Sequence, residues 1–328
     1  MRFDPSRFPA AANATGFQPD NLERVLRLRE LLTEFQKHSF LGGRLILKGG
    51  TALNLFYLGL ARLSVDIDLN YIAHLEREAM LAERPEIVKA VDQISAGIGY
   101  KLQNGTDDHA LREWHLGYVN HAGAQDRIQV EINFLMRAYA LPPRVLAAAP
   151  AIGSPPCEFL VLAAEEVFGG KIKAMIDRHH PRDLYDLFRF AKSGLPHDAE
   201  ILRKLAVLLC STMDRDFRTY TSNGFPQWTR KNSTGFCTRC SRPMTGPNLP
   251  RCSRPQDLFW RAFWTTPVRK PISLPSLPGN ISRSFFFRSI PRLWNGFGCI
   301  LRCSGKHRTS PSISRNPGNP PSAAVPND

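Results

Sequence analysis

Two aspartates spaced two residues apart are the side chains of this sequence best suited to chemistry. Asp66 and Asp68 lie in Ser-Val-Asp-Ile-Asp-Leu, an alternating stretch typical of a strand, so both carboxylates point to one face and the apolar residues to the other. Neighbouring carboxylates repel, and keeping both ionised beside a core is costly unless a cation neutralises them. Mg²⁺ takes one or two protein carboxylates together with phosphate oxygens and water. The pair therefore predicts a magnesium site.

A glycine turn upstream of the aspartates is suited to binding phosphate. The sequence predicts a short strand over 45–47, then the turn Gly49-Gly50-Thr51, then a helix. Without β-carbons the two glycines let backbone N–H groups approach a phosphate closely, and the start of the helix adds partial positive charge. Each feature alone is common in proteins. Together, the turn and the acidic strand predict a site for a nucleoside triphosphate.

A third carboxylate, Glu131, is expected near the acidic pair. In the strand predicted over 127–135, apolar residues alternate with polar ones, and Glu131 falls on the polar face. We expect this strand to lie beside the one that carries Asp66 and Asp68. There Glu131 would complete a two-metal arrangement and help to take the proton from an attacking hydroxyl. The alternative is that Glu131 only faces solvent.

A second group of charged residues lies in the helical region that follows. Lys171 and Arg178 are seven residues apart, which puts them on one face of a helix, where both could meet triphosphate charge.

The aspartates that follow have structural explanations. Asp183 falls in the first turn of a helix that begins at Pro181, where the helix dipole favours a carboxylate. Asp186 is spaced for an i,i+4 ion pair with Arg182. The residues alone therefore favour a stabilising role for both aspartates.

Two motifs resemble those of the AbiEii family of nucleotidyltransferases, which are toxins of type IV toxin–antitoxin and abortive-infection systems. The first is Lys-Gly-Gly-Thr-Ala-Leu over 48–53, followed by Arg-x-Ser-x-Asp-Ile-Asp-Leu over 62–69. The second is Lys-x-x-Ala, then Arg, then Arg-Asp-x-x-Asp-Leu, and its members are Lys171, Ala174, Arg178, Arg182, Asp183, Asp186 and Leu187. The resemblance runs to about residue 215.

The resemblance implies a fold, an activity and partners. The fold is an α/β polymerase-β-like nucleotidyltransferase core with a helical second domain. Lys171, Arg178 and Arg182 would bind the nucleotide, Asp183 or Asp186 would take part in transfer, and the neighbouring-strand acid of such enzymes favours a functional Glu131. The implied reaction uses an NTP and Mg²⁺ and acts on RNA, with tRNA as acceptor, under the control of a separately encoded antitoxin.

The elements that would position these residues can be read along the chain. We expect an irregular lead over 1–19, a catalytic domain over 20–141, a linker over 142–157, a helical domain completing the site over 158–215, and a tail over 216–328. Helices are predicted over 20–38, 74–97 with a break at Pro85, 159–178, 181–192 and 199–213, and strands over 100–102, 111–119 and 127–135.

The charge of +14 is concentrated in the last third of the chain. Residues 1–214 hold 25 Lys and Arg against 26 Asp and Glu, a net of 25 − 26 = −1, whereas residues 215–328 hold 18 against 3, a net of 18 − 3 = +15. The last segment also has 15 of the 26 prolines and no Glu. Such a composition predicts disorder. Its abrupt onset suggests a frameshift near residues 215–226.

The sequence also bears on the compartment of the protein and leaves other functions open. The sequence shows no secretory signal and no stretch of about 18 apolar residues to span a membrane, so a reducing cytoplasm is expected. Transfer of the nucleotide to a small molecule or to a protein is an open alternative, because the core up to residue 214 offers no basic excess. Two others are an inactive relic with an altered C-terminus and RNA binding by the basic tail.

Overall fold

The computed structural model describes residues 8–214, apart from residues 104, 152 and 153. Within these residues the helices are α1 (Phe8–Thr15), α2 (Pro19–Lys37), α3 (Gly49–Thr51), α4 (Arg77–Gly97), α5 (Ala164–Arg178), α6 (Pro181–Ser193) and α7 (Ala199–Cys210). A π-helical turn, Ala52–Tyr57, continues α3. The strands are β1 (Leu45–Lys48), β2 (Asp66–Tyr71), β3 (Lys101–Gln103), β4 (Leu111–Val119), β5 (Gln125–Asn133), β6 (Arg144–Ala147) and β7 (Glu158–Val161).

The strands form one mixed sheet in the order β3-β4-β5-β2-β1-β7-β6. The pairs β2–β5 and β1–β7 are parallel, and the other neighbours are antiparallel. The acidic strand β2 therefore lies between β1, which leads into the glycine turn, and β5, which carries Glu131. This mixed α/β architecture confirms the predicted fold class.

One face of the central strands is apolar and fully buried. Ile67 and Leu69 of β2 and Val130 and Ile132 of β5 have no exposed surface. Helix α2 packs against β5, β7 and α4, and its own apolar stripe is buried. Burial of this face fixes the register, because a shift of one residue would turn the carboxylates into the core.

Three of the predicted elements differ from those observed. Residues 1–19 were expected to be irregular, but they include α1, whose Phe8 is buried in the core. Helix α4 continues through Pro85, because that proline is exposed while Ile87 and Val91, farther along the helix, are buried and anchor it. The helix predicted over 159–178 is wrong at its start, since alternate burial of Phe159 and Val161 makes strand β7 there.

The region between the two predicted domains contains sheet structure. Strand β6 lies within 142–157, where the sequence suggested a linker, and it pairs with β7. Strand β7 in turn pairs with β1 through Leu47 and Val161. The division into a catalytic and a helical domain stays a prediction, and the predictions for the tail from residue 216 lie outside the described residues.

Candidate active site

Both aspartates of β2 lie beside a third carboxylate on the neighbouring strand. Asp66 and Asp68 are partly exposed, whereas Ile67 between them is fully buried. The parallel pairing of β2 with β5 places Glu131 directly opposite Asp68. The expected neighbourhood of Glu131 is thus present in the structure, and its catalytic role stays a prediction.

Negative charge is crowded on this face of the sheet. Burial raises the pKa of Glu131, Lys48 acts in the opposite direction, and Asp68, Glu113 and Asp66 raise the pKa further. The Nζ atom of Lys48 is 3.8 Å from Oε1 of Glu131. Because Glu113 is also paired directly with Glu131 across β4 and β5, like charges face each other, an arrangement that costs stability unless a cation is near.

The glycine turn is in contact with the acidic strand. Gly49 has φ +72°, and a β-carbon there would lie 2.1 Å from Oδ2 of Asp68. A β-carbon on Gly50 would lie 2.8 Å from Oγ of Ser64. The hydroxyl of Thr51 donates to the backbone oxygen of Asp66 at 2.5 Å. A β-carbon at Gly49 would displace Asp68, and one at Gly50 would force the Ser64 side chain to move. The buried Thr51 side chain anchors the turn to β2.

Asp183 at the start of α6 is fully buried and bound by two cations. Lys171 Nζ donates to its Oδ1 at 2.9 Å, while Nε and Nη2 of Arg178 donate to Oδ2 and Oδ1 at 2.7 and 2.9 Å. Burial alone would raise the pKa of Asp183, but the bonds from Arg178 and Lys171 outweigh burial and lower the pKa to about 2. Asp183 is therefore ionised at neutral pH.

Asp186, one helical turn later, is also fully buried, and it joins α6 to the region of the glycine turn. Arg62 binds both of its oxygens, from Nε and from Nη2, each at 2.7 Å. Lys171 Nζ lies 3.1 Å from Oδ2, and Nδ2 of Asn54 lies 3.3 Å from Oδ1. The predicted partner, Arg182, is replaced by Arg62, because the aspartate faces inward toward the motif around residue 62.

These five charged residues form what we call the ion cluster: Arg62, Lys171, Arg178, Asp183 and Asp186. Three cations and two carboxylates give it a net charge of 3 − 2 = +1. Lys171 and Arg178 do share a face, as predicted, but in the structure both converge on Asp183. The Lys171 side chain is only 7% exposed, whereas that of Arg178 is 55% exposed. Hydrogen bonds to Asp183 raise the pKa of Arg178, and the negative charge of Asp68 raises it further.

Arg182 lies apart from these contacts. Its backbone N–H donates to Nδ1 of His180, which caps α6. Its predicted role in nucleotide binding stays a prediction.

Four residues near the site were not assigned a role from the sequence, and the first is Arg62, which binds Asp186. Asn54 contacts both Gly50 and Asp186. Glu113 and His115 of β4 stand opposite Glu131 and Gln129 of β5. The alternation of residues along 111–119 could have identified Glu113 and His115, since it places both on the face of β4 opposite the buried Trp114. No local pattern identified Asn54, whose partner is 132 residues away.

The two carboxylates of β2 fit a magnesium ion whose other ligands come from a bound phosphate and water. Among the described residues no group of three or more His, Cys, Asp or Glu side chains is arranged to hold a metal by itself. Asp66 and Asp68 supply two partly exposed carboxylates on one face, and Gly49 has no side chain that would displace Oδ2 of Asp68. Mg²⁺ is typically bound in this way, through one or two carboxylates plus substrate phosphates.

Comparison with known proteins identifies the family to which this geometry corresponds. Residues 30–234 match the sequence model of the family described as nucleotidyl transferase AbiEii toxin, type IV TA system. Among solved structures, the nucleotidyltransferase toxin MenT4 of Mycobacterium tuberculosis H37Rv is similar in fold, with a TM-score of 0.62, 21% identity, and coverage of 91% of this chain and 99% of that chain.

Two Helicobacter pylori structures are more distant. JHP933 and a protein described as a nucleotidyltransferase each have 21% identity and a TM-score of 0.39, and they cover 55% and 61% of this chain and 69% and 86% of their own. At that level they carry no argument about this chain. No curated protein matches it.

Proposed function

The chain belongs to the AbiEii family of nucleotidyltransferase toxins of type IV toxin–antitoxin systems, and we propose that it transfers a nucleotide from an NTP to the hydroxyl of an RNA acceptor in a Mg²⁺-dependent reaction. The observation that carries this proposal is the contact between Gly49 of the glycine turn and Asp68 of the acidic pair, with Glu131 on the adjacent strand. In this proposal, the turn that would bind phosphate lies beside the two carboxylates that would bind the metal, at the end of β1 and the start of β2.

Each residue of the site has a role in this proposal. Asp66 and Asp68 would hold Mg²⁺, which when bound neutralises charge on the triphosphate. The backbone N–H groups of the turn 49–51 would bind phosphate oxygens. Glu131 would accept the proton of the acceptor hydroxyl, since it lies directly opposite Asp68 on the adjacent strand. The hydroxyl oxygen would attack the α-phosphorus and pyrophosphate would leave.

The ion cluster would contribute in two ways. Arg178 is half exposed and near enough to Asp68 to sense its charge, so we propose that it contacts the triphosphate. Lys171, buried between Asp183 and Asp186, would instead hold those two carboxylates in place. The two aspartates are surrounded by cations and have no exposed surface, which favours a positioning role over a direct part in transfer.

The acceptor, the partner and the compartment complete the proposal. We propose tRNA as the RNA acceptor and a separately encoded antitoxin as the partner, both on the basis of the family. No helix among the described residues is long and apolar enough to cross a membrane. The described cysteines, Cys157 and Cys210, are free thiols, consistent with the proposed location in the cytoplasm.

Incubation of the full chain with total cellular RNA, Mg²⁺ and each α-³²P-labelled NTP in turn tests the proposal. We expect label in the RNA with at least one NTP, and a loss of about 10³-fold or more in Asp66→Asn and Asp68→Asn, because the metal site supplies several kcal/mol of transition-state stabilisation. Glu34→Gln, an acid on α2 away from the site, is the control and should label RNA normally.

Two other outcomes would redirect the proposal. Label that appears in protein or in a small-molecule fraction, and not in RNA, would identify a different acceptor for the same chemistry. Wild-type protein that binds no NTP and labels nothing would indicate an inactive relic.

A further inference from the structure

Asn54 in the π-helical turn is a buried polar residue whose orientation is fixed by its neighbours. It is 1% exposed, and its Nδ2 donates to the Gly50 carbonyl at 3.0 Å and to Oδ1 of Asp186 at 3.3 Å. Both partners are acceptors, so the amide nitrogen must face them. The amide oxygen Oδ1 is consequently left without a hydrogen-bond partner among the described residues.

Several features of the structure around Asn54 lower the stability of the fold. A buried amide oxygen without a partner costs free energy that an apolar side chain of similar size would avoid. Asn54 also lies in a π-helical turn, a rare conformation found often at functional sites. Shortly after that turn, Leu60 has φ +62°, and its N–H donates to the Asn54 carbonyl at 2.7 Å. Several unfavourable features around one residue point to a role other than stability.

Gly50 lies beside two residues that also contact Asp186. Asn54 binds its carbonyl oxygen, and a β-carbon on Gly50 would lie 3.3 Å from Nη2 of Arg62. Arg62 and Asn54 both bind the Asp186 carboxylate. Asn54 therefore connects the ion cluster to the glycine turn by hydrogen bonds, and Arg62 lies beside Gly50.

The Gly50 carbonyl belongs to the peptide that carries the N–H of Thr51. Because a trans peptide is planar, its N–H and C=O groups point in opposite directions, and fixing the carbonyl fixes the N–H. In the proposed function this N–H is one of the groups that bind phosphate.

We propose that Asn54 is a positioning residue for the triphosphate: it fixes the Gly50–Thr51 peptide and links that peptide to Asp186. Helix α6 thus acts on the nucleotide through Asn54, without contact between its aspartates and the substrate. This inference rests on the proposed function, since it requires that the turn 49–51 binds the triphosphate.

Two substitutions at position 54 separate its two hydrogen bonds. Asn54→Leu removes both and also removes the unpaired oxygen. Asn54→Ser keeps the bond to Gly50, because a helical serine donates to the carbonyl four residues earlier, but it loses the bond to Asp186. If the leucine variant does not fold, Asn54→Ala removes the same two bonds and takes its place.

The readouts are thermal unfolding, steady-state transfer, and calorimetric binding of a non-hydrolysable α,β-methylene NTP with Mg²⁺. For Asn54→Leu we expect an unchanged or higher Tm, a KM and a Kd for the nucleotide raised about tenfold, and kcat within about threefold of wild type. For Asn54→Ser we expect KM and Kd within about threefold. Asn21→Leu changes another buried helical asparagine, on α2, and should leave both constants unchanged.

The result that overturns the inference is wild-type KM and Kd in Asn54→Leu. A fall in kcat with unchanged Kd would also overturn it, because that pattern belongs to a group acting on chemistry. Equal increases in KM and Kd in the leucine and serine variants would show that the hydrogen bond to Gly50 does not position the nucleotide. Failure of the proposed function is distinguishable, since the wild-type protein would then bind no nucleotide in the same calorimetric assay.

Discussion

Asp68 and Gly49 form the contact between the acidic strand β2 and the glycine turn. The carboxylate occupies the space that a β-carbon at position 49 would fill. The turn also needs a positive φ at that residue, which glycine adopts readily. Space and backbone conformation are separate requirements, and two glycines of this chain allow them to be tested separately.

Gly49→Ala and Gly43→Ala make this comparison. Both residues have positive φ, +72° and +79°, so each alanine should cost about 1–2 kcal/mol of stability. A β-carbon on Gly43 would meet no other atom within 4 Å, whereas one on Gly49 would meet Asp68. We expect transfer activity to fall about 100-fold or more in Gly49→Ala only, measured beside urea unfolding of both variants. Equal activity in the two would show that the close contact does not matter for transfer.

Asp183 should make the stability of the protein depend on pH in acid. Its pKa is lowered to about 2 in the folded state, because Arg178 and Lys171 outweigh the effect of burial. The stabilisation, about 2 kcal/mol, is fully present above about pH 4 and is lost as the pH falls through about 2. We expect Asp183→Asn to be less stable than wild type at pH 7. Its free energy of unfolding, measured with urea at several pH values, should fall less between about pH 4 and pH 2 than that of the wild type.

The control for this experiment is Asp177→Asn, because Asp177 is exposed on the preceding helix. Its unfolding curve should follow that of the wild type across the same pH range. If the free energy of unfolding of Asp183→Asn depends on pH as that of the wild type does, the cations around Asp183 do not stabilise its ionised form.

The central strands and most helices were predictable in this chain, whereas β6 and β7 at one side of the sheet were not. The alternation along β2 and β5 is local, so it identified the acidic face and the strand neighbouring it. Helical spacing correctly placed Lys171 and Arg178 on one face, but it could not show what lies opposite that face. Their partner is a buried carboxylate, and Asp186 finds Arg62 across 124 residues of sequence. Contacts of that range depend on packing and leave no periodic signal.

Helix α4 contains a proline that the sequence suggested would break it. Pro85 lies in the middle of Arg77–Gly97, where it removes one backbone hydrogen bond and costs up to about 3 kcal/mol relative to alanine. Pro85→Ala restores the N–H but makes the unfolded chain more flexible, which offsets about 1 kcal/mol. We therefore expect the variant to be more stable by about 1–2 kcal/mol in urea unfolding.

Glu86→Ala is the matched change at the next exposed position of α4 and should alter stability by less than about 0.5 kcal/mol. A destabilised Pro85→Ala variant would indicate that the bend imposed by the proline is needed for packing of α4.

The charge of the whole chain is divided between a near-neutral part and a basic part. The site lies within residues 1–214, whose net charge is −1, while residues 215–328 carry a net +15. Electrostatic attraction to RNA should therefore depend on the second part, and the specificity of transfer on the first. The two contributions respond differently to salt, because only phosphate neutralisation releases counterions.

Filter binding of RNA to the full chain and to a chain that ends at Asp214 tests this division. With six or more phosphate contacts, affinity of the full chain should fall about 10³-fold or more between about 50 and 200 mM salt. The shorter chain should bind weakly at both concentrations. If the two chains bind RNA equally, the RNA-binding surface lies within residues 1–214.

The bond between Arg62 and Asp186 also has a consequence for the order in which a newly made protein becomes active. Asp66, Asp68 and the glycine turn are complete once residue 68 has been translated, but the carboxylate that binds Arg62 and Asn54 comes 118 residues later (186 − 68 = 118). A nascent chain that ends before α6 lacks the carboxylate that Asn54 and Arg62 bind. If the turn binds the triphosphate as proposed, we expect no transfer until α6 has been synthesised.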